Sequence, residues 1–162
     1  MKKKQCTLTS ATGKVGKLVF ARLPRGCDFM EGLEKICEDH GIQGGCLVTC
    51  IGGFEEMVLH TPPPREQGGS FGPPVRLLGP IQLLNCQGII GRSKEGKTHI
   101  HLHATVFCND ENRIYGGHLS KGENKVSVTL ELVIAVAEDV NLAFRMEPAI
   151  DQAQPTFRPG EA

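Results

Sequence analysis

Tryptophan is absent from this 162-residue chain, tyrosine occurs once, and aromatic residues make up only 5% of it. An excess of charge is lacking too: Lys+Arg and Asp+Glu are equal at 18 each, so the net charge is zero. That balance removes any chain-wide electrostatic pull toward phosphate backbones. No segment approaches the ~20 consecutive apolar residues of a membrane helix. Met1-Lys2-Lys3-Lys4 is not followed by the apolar region of a signal peptide. No pair of cysteines has C-x-x-C spacing, and the phosphate-loop, G-x-S-x-G and H-E-x-x-H motifs are missing. Together these absences set aside the commonest hydrolase and nucleotide-binding signatures. They point to a cytoplasmic protein with no membrane association.

Glycine is abundant at 20 residues, as expected for a fold with many tight turns. Seven cysteines, an odd number, read as reduced thiols that behave as small hydrophobes rather than as a disulfide framework. Apolar residues at 40% and charged residues at 22% describe an ordinary globular chain, long enough to bury a core in one domain. Lysines 2, 3 and 4 open a basic segment over residues 1–14 that is expected to be solvated. The domain itself is expected over 15–147, and the proline-rich, polar stretch 148–162 as a flexible tail.

One helix is legible, over 28–40. Asp28 suits the N-cap and Glu31 stands three residues on, as in a capping box. Phe29, Leu33, Ile36 and Cys37 form one apolar stripe, and Gly41 suits the left-handed position after the last turn. Strand signals lie at 15–23, 45–51, 56–60, 75–79, 81–90, 98–108, 113–119, 125–137 and 140–147. Most are joined by short turns. Residues 61–74, with five prolines and three glycines, interrupt them as a surface loop or flap. The pattern predicts an α+β single domain, a curved and mainly antiparallel sheet of about eight strands with one main helix packed on it.

Four of the six histidines lie between 99 and 118. In T-H-I-H-L-H, His99, His101 and His103 alternate with Ile100 and Leu102, so on a strand the imidazoles share one face. Neighbours on that face stand ~6.5–7 Å apart, close enough for two imidazoles to reach one cation at metal–nitrogen distances of ~2.0–2.1 Å. The turn at 109–112 brings Gly116-Gly117-His118 back alongside, with His118 opposite 101 or within one pair of it. His101, His103 and His118 are therefore the candidate ligands of a divalent metal, zinc before others. His99 sits at the strand edge and is a marginal candidate. Glu131, a charge within the apolar run V-S-V-T-L-E-L-V-I, is the candidate carboxylate behind the ligands, with Asp110 as another. The bland alternative is a set of hydrogen-bonded structural histidines on a half-exposed sheet face.

The segments A-R-L-P-R-G-C-D-F (21–29), G-I-Q-G-G (41–45), I-Q-L-L-N-C-Q-G-I-I (81–90), H-L-H-A (101–104), G-G-H-L (116–119), V-T-L-E-L-V (128–133) and F-R (144–145) follow one another in a telling order. Over residues 15–146 the chain resembles the PPC domain family. This domain occurs in plant AT-hook nuclear proteins and alone in bacteria and archaea. The resemblance implies a small α+β fold assembled as a homotrimer. It also implies a metal at the positions of His101, His103 and His118, and a DNA-binding label. The chain departs from the plant pattern in having no R-G-R-P hook, and with it goes the reason to expect minor-groove contact.

Two functions follow as expectations. The first is a trimeric binding or regulatory module whose histidine site is structural or ligand-sensing. The second is a metal-dependent enzyme acting on a small polar or anionic substrate. In it the three histidines hold zinc, Glu131 orients a ligand or acts as base, and Arg22 pairs a substrate anion.

Overall fold

The computed structural model describes residues 8–64, 66, 72–146 and 155–160. Its elements run β1 (Lys14–Pro24), α1 (Phe29–Asp39), β2 (Gly45–His60), β3 (Val75–Arg92), β4 (Thr98–Cys108), β5 (Arg113–Glu138), β6 (Asn141–Met146) and β7 (Pro155–Gly160). The fold is α+β: among the described residues there are one helix and a single curved sheet of seven strands, antiparallel at every pairing except the β3–β6 contact.

The strand count is lower than expected because several sequence breaks are bends rather than ends. Gly52-Gly53 falls inside β2, Gly79-Pro80 inside β3, and Lys121–Asn124 inside β5. Gly52, Gly79 and Gly122 have φ of 141°, 101° and 79°, which glycine tolerates and other residues resist. Register shifts near Phe54 and between Leu83 and Asn85 show the same device, a bulge that bends a strand without ending it. These long bent strands let β2 pair β3, β3 pair β4, β4 pair β5 and β5 pair β2 again. The pairings thus close a ring, with β1 added on the outer edge of β5.

The ring encloses the core. Ile100, Leu102, Ala104, Val106 and Cys108 of β4 all point inward, as do Leu130, Leu132 and Ile134 of β5. Each large aliphatic side chain so buried contributes roughly 1.5–3 kcal/mol. Phe29 and Leu33 of α1 are fully buried, with the Phe29 ring 5.9 Å from that of Phe54. The helix ends match their sequence signals. One Asp28 carboxylate oxygen accepts from the Glu31 N–H at 3.0 Å, and the other accepts from the Asn124 N–H at 2.8 Å, tying helix to sheet. At the far end Ile42 N–H donates to Cys37 C=O and Gly41 N–H to Glu38 C=O, with Gly41 at φ 62°.

The six cysteines described are free thiols. Burial pushes the Cys37 thiol up to about 11 and Cys50 up to about 12, and raises Cys86 further. Such thiols fill space and are poor nucleophiles. Lysines 2–4 lie outside the described residues, as do 65 and 67–71 of the proline-rich loop; Gly72 N–H donates to Thr61 C=O at 2.8 Å across the base of that loop. The stretch 148–162, expected as a tail, contributes β7, which pairs antiparallel with β6 from Asn141↔Gly160 to Met146↔Pro155. Backbone pairing, which a polar and proline-rich sequence does not advertise, holds Pro155–Gly160. No helix among the described residues is long and apolar enough to cross a membrane.

Candidate metal centre

Alternation along β4 decides the first half of the site. Because Ile100, Leu102 and Ala104 are drawn into the core, His101 and His103 must face outward. The β4–β5 hairpin supplies the third imidazole. Its register pairs Cys108 with Arg113 and Val106 with Tyr115, which sets His118 directly opposite His103. The expected register put His118 opposite 101 or within one pair of it; the structure shifts it by two pairs, which keeps His118 on the same face as His101. The ligand nitrogens of His101, His103 and His118 all lie within 4.8 Å of one another. The Nε2 atoms of His101 and His103 are 3.1 Å apart, and the ring centroids of His118 stand 5.1 and 5.5 Å from those of His101 and His103.

Two glycines make this close approach feasible. A Cβ on Gly88 would stand 1.9 Å from the His101 carbonyl oxygen, and one on Gly117 would stand 2.8 Å from the His60 carbonyl. Any side chain at 88 would force β3 away from the histidine strand.

The electrostatics favour neutral rings at His101 and His118. Burial, followed by the neighbouring imidazoles of His101, His103, His60 and His99, pushes His118 down to about 4. Burial and then the His103 and His99 imidazoles lower His101. A neutral imidazole with a free ring nitrogen is the form that binds a cation.

The other sequence candidates are distributed differently. His99 is half-buried, 4.2 Å from the ring of Phe144, and stands outside the three-histidine group. Glu131 lies in the second half of β5, exposed, with Arg22 of β1 and Ile51 of β2 as its register partners. Arg22 donates from Nε to Thr129 Oγ1 at 3.0 Å. The structure therefore brings Arg22 and Glu131 to each other rather than to the histidines. Asp110 packs at the opposite end of the hairpin, beside Gly79.

Two residues near the cluster escaped the sequence reading. His60, the last residue of β2, is the direct register partner of His118 on the side away from His103. Its Nε2 meets Glu123 Oε2 at 2.8 Å, and Arg76 approaches the other Glu123 oxygen at 3.9 Å. A cross-strand row Gln87–His103–His118–His60 thus runs over β3, β4, β5 and β2. The available signal was the alternating E-M-V-L-H strand ending on His60, but its partner strand is far away in sequence. Beside His101 and His103 lies an open groove of about 550 Å³, bordered by Cys46, Val48, Gln87 and Ile89.

The sequence pattern of the Plants and Prokaryotes Conserved (PCC) domain matches residues 10–138. The chain belongs to this family, known also as PPC. Comparison with curated proteins gives no match. Among solved structures, the chain is similar to a metal-containing protein from Archaeoglobus fulgidus, with a TM-score of 0.74, 18% identity and coverage of 93% of this chain and 99% of that one. It is similar to a plant- and prokaryote-conserved protein from Pyrococcus horikoshii, with a TM-score of 0.73, 17% identity and coverage of 92% and 97%. A protein from Bacteroides thetaiotaomicron, provisionally described as DNA-binding, gives a TM-score of 0.72 at 20% identity over 90% and 96%. At these identities the likeness speaks for a shared fold.

Proposed function

We propose that this chain is a binding or regulatory module that assembles as a homotrimer. It holds one divalent cation, zinc before others, on His101, His103 and His118. The observation that carries the reading is the convergence of three imidazoles whose ligand nitrogens lie within 4.8 Å. The donor set fits the ion: neutral, nitrogen-only and three in number, it matches sites that keep a coordination position open. A cation so bound supplies Lewis acidity and lowers the pKa of a coordinated water. The chain's own part is positional. Leu102 and Ala104 anchor β4 in the core and so aim His101 and His103, while Glu123 fixes His60 alongside His118. Metal analysis of protein purified without a histidine tag tests the reading. About one zinc per chain is expected, and substoichiometric metal unchanged in a His101→Ala/His103→Ala variant would sink it.

Assembly is supported by the outer face of the sheet. Leu18 and Phe20 of β1 and Ile51 of β2 are each more than half exposed. Their register partners on β5 include Ala135, Val133 and Glu131. Exposed apolar side chains on neighbouring strands fit an association surface. Sedimentation velocity should give a mass near three chains; a monomer at micromolar concentration contradicts the trimer. The DNA-binding version of the module rests on the provisional description of a structural relative, while the chain's zero net charge weighs against it. Absence of a gel shift with duplex DNA at low salt would remove that version.

A second reading, a metal-dependent enzyme for a small polar or anionic substrate, is favoured by the groove beside His101 and His103. In that reading Arg22 and Glu131 serve assembly or shape, since they stand together on the β1–β5 pair. A cytoplasmic location remains part of the proposal.

A further inference from the structure

We infer that the groove beside the histidine cluster takes a small monocarboxylate with an apolar body, its carboxylate directed at the cluster and its hydrocarbon part laid over Val48 and Ile89. This inference deepens the metal reading and rests on it.

Charge is the first argument. Three imidazole ligands bring no negative charge to a divalent cation, and among the described residues no carboxylate belongs to the group. The preferred extra donor is therefore an anion. The groove then limits how many charges that anion carries. Its lining side chains among the described residues are Cys46, Leu47, Val48, Gln87, Ile89, His101 and His103, with no lysine or arginine. A second negative charge, as on a phosphate dianion or a dicarboxylate, would have to sit against Val48 and Ile89 without a counter-charge. One negative charge at the cluster and none beyond it is the pattern that this lining accepts.

Shape and hydrogen bonding are the second argument. Cys46 of β2, Ile89 of β3 and His101 of β4 are successive register partners, so the groove runs across the strands away from the histidines. At strand spacings of ~4.8 Å, the two steps from His101 to Cys46 span roughly 10 Å, the length of a short aliphatic or aromatic acid. Ile89 is half-buried and Val48 is 52% exposed, offering apolar surface for that body. Gln87, the direct partner of His103, brings a side-chain amide to the lining. Its NH2 group can donate to a carboxylate oxygen.

The test uses the full chain, stripped of metal and loaded with cobalt(II), whose visible absorption reports its donor set. Hexanoate, acetate, hexan-1-ol and inorganic phosphate are titrated in turn. Hexanoate is expected to shift the bands saturably at a concentration at least about tenfold below that for acetate, since partial burial of its extra methylenes favours it. Phosphate should bind no tighter than acetate, and hexan-1-ol should leave the bands unchanged. Ile89→Asp, which places a second negative charge in the groove, should raise the hexanoate half-saturation about tenfold. The milder Ile89→Ala should act in the same direction if the aspartate variant folds poorly. Equal half-saturation for acetate and hexanoate, tighter binding of phosphate, or an unchanged hexanoate preference in both variants would overturn the inference. Failure of cobalt to bind at about one per chain is a separate result, and it would remove the metal reading together with the inference.

Discussion

Strand β5 carries polar residues in both of its halves, and the two halves behave differently. Around His118 it lies between β4 and β2, and its register brings His103, His118 and His60 into one row. Around Glu131 it lies between β1 and β2, and its partners are Arg22 and Ile51. In the first half His118 and His60 are half-buried, and burial lowers His101 and His118. In the second half Glu131 is exposed. A charged residue in an apolar strand looks equally suggestive in either place. The difference lies in what the neighbouring strands set beside it, so concentration of like side chains by register, rather than residue type, marks the candidate site.

The largest expected effect is at the histidines themselves. Replacing His101 and His103 with alanine removes two of three donors and should reduce bound metal from about one per chain to near zero in elemental analysis. Glu131→Gln should leave metal content unaltered; a loss comparable to that of the histidine variant would break the contrast between the halves. Next in size is Gly88→Ala. The added methyl meets a backbone carbonyl that no rotamer change can relieve, so a loss of about 3 kcal/mol in denaturant unfolding is expected, with weakened metal retention.

Smaller effects sharpen the comparison. Glu123→Gln loosens the partner of His60, and a roughly tenfold fall in metal affinity by competition with a chelator is expected. An unchanged affinity would show that the His60–Glu123 pair serves the fold alone. Acidification should act through His118. Its folded value of about 4 lies below the ordinary 6.5, so the unfolded chain binds the proton first as pH falls. Metal-free protein should therefore lose stability between about pH 6.5 and 4, with little dependence on this group above that window; thermal melts across the range read it out. His118→Gln should flatten that slope. The smallest effect belongs to Arg22→Ala, an exposed change at the second half, expected within ~0.5 kcal/mol of the parent.

Much of the fold was legible along the chain. The Asp28 cap, the apolar stripe through Leu33 and Cys37 and the Gly41 stop are local features, and the helix forms at Phe29–Asp39 accordingly. The strand alternation of 98–108 is local too, so the shared face of His101 and His103 follows from period alone. The strand count was not legible, because a glycine at a bulge and a glycine at a turn look alike until the partner strand is known. The pairing of 155–160 with β6 was hidden for the same reason.

The sequence by itself determined which residues alternate, where the helix begins and ends, and that three histidines lie within reach of one hairpin. Tertiary structure alone decided that β2 returns to β5 at His60↔His118, that Glu123 rather than Glu131 stands near the cluster, and that a groove opens between β2 and β4. The physical reason is range. Capping, alternation and turns are fixed by neighbours a few residues apart, whereas the ring of β2, β3, β4 and β5 closes through pairings between distant segments, and closure chooses which side chains meet.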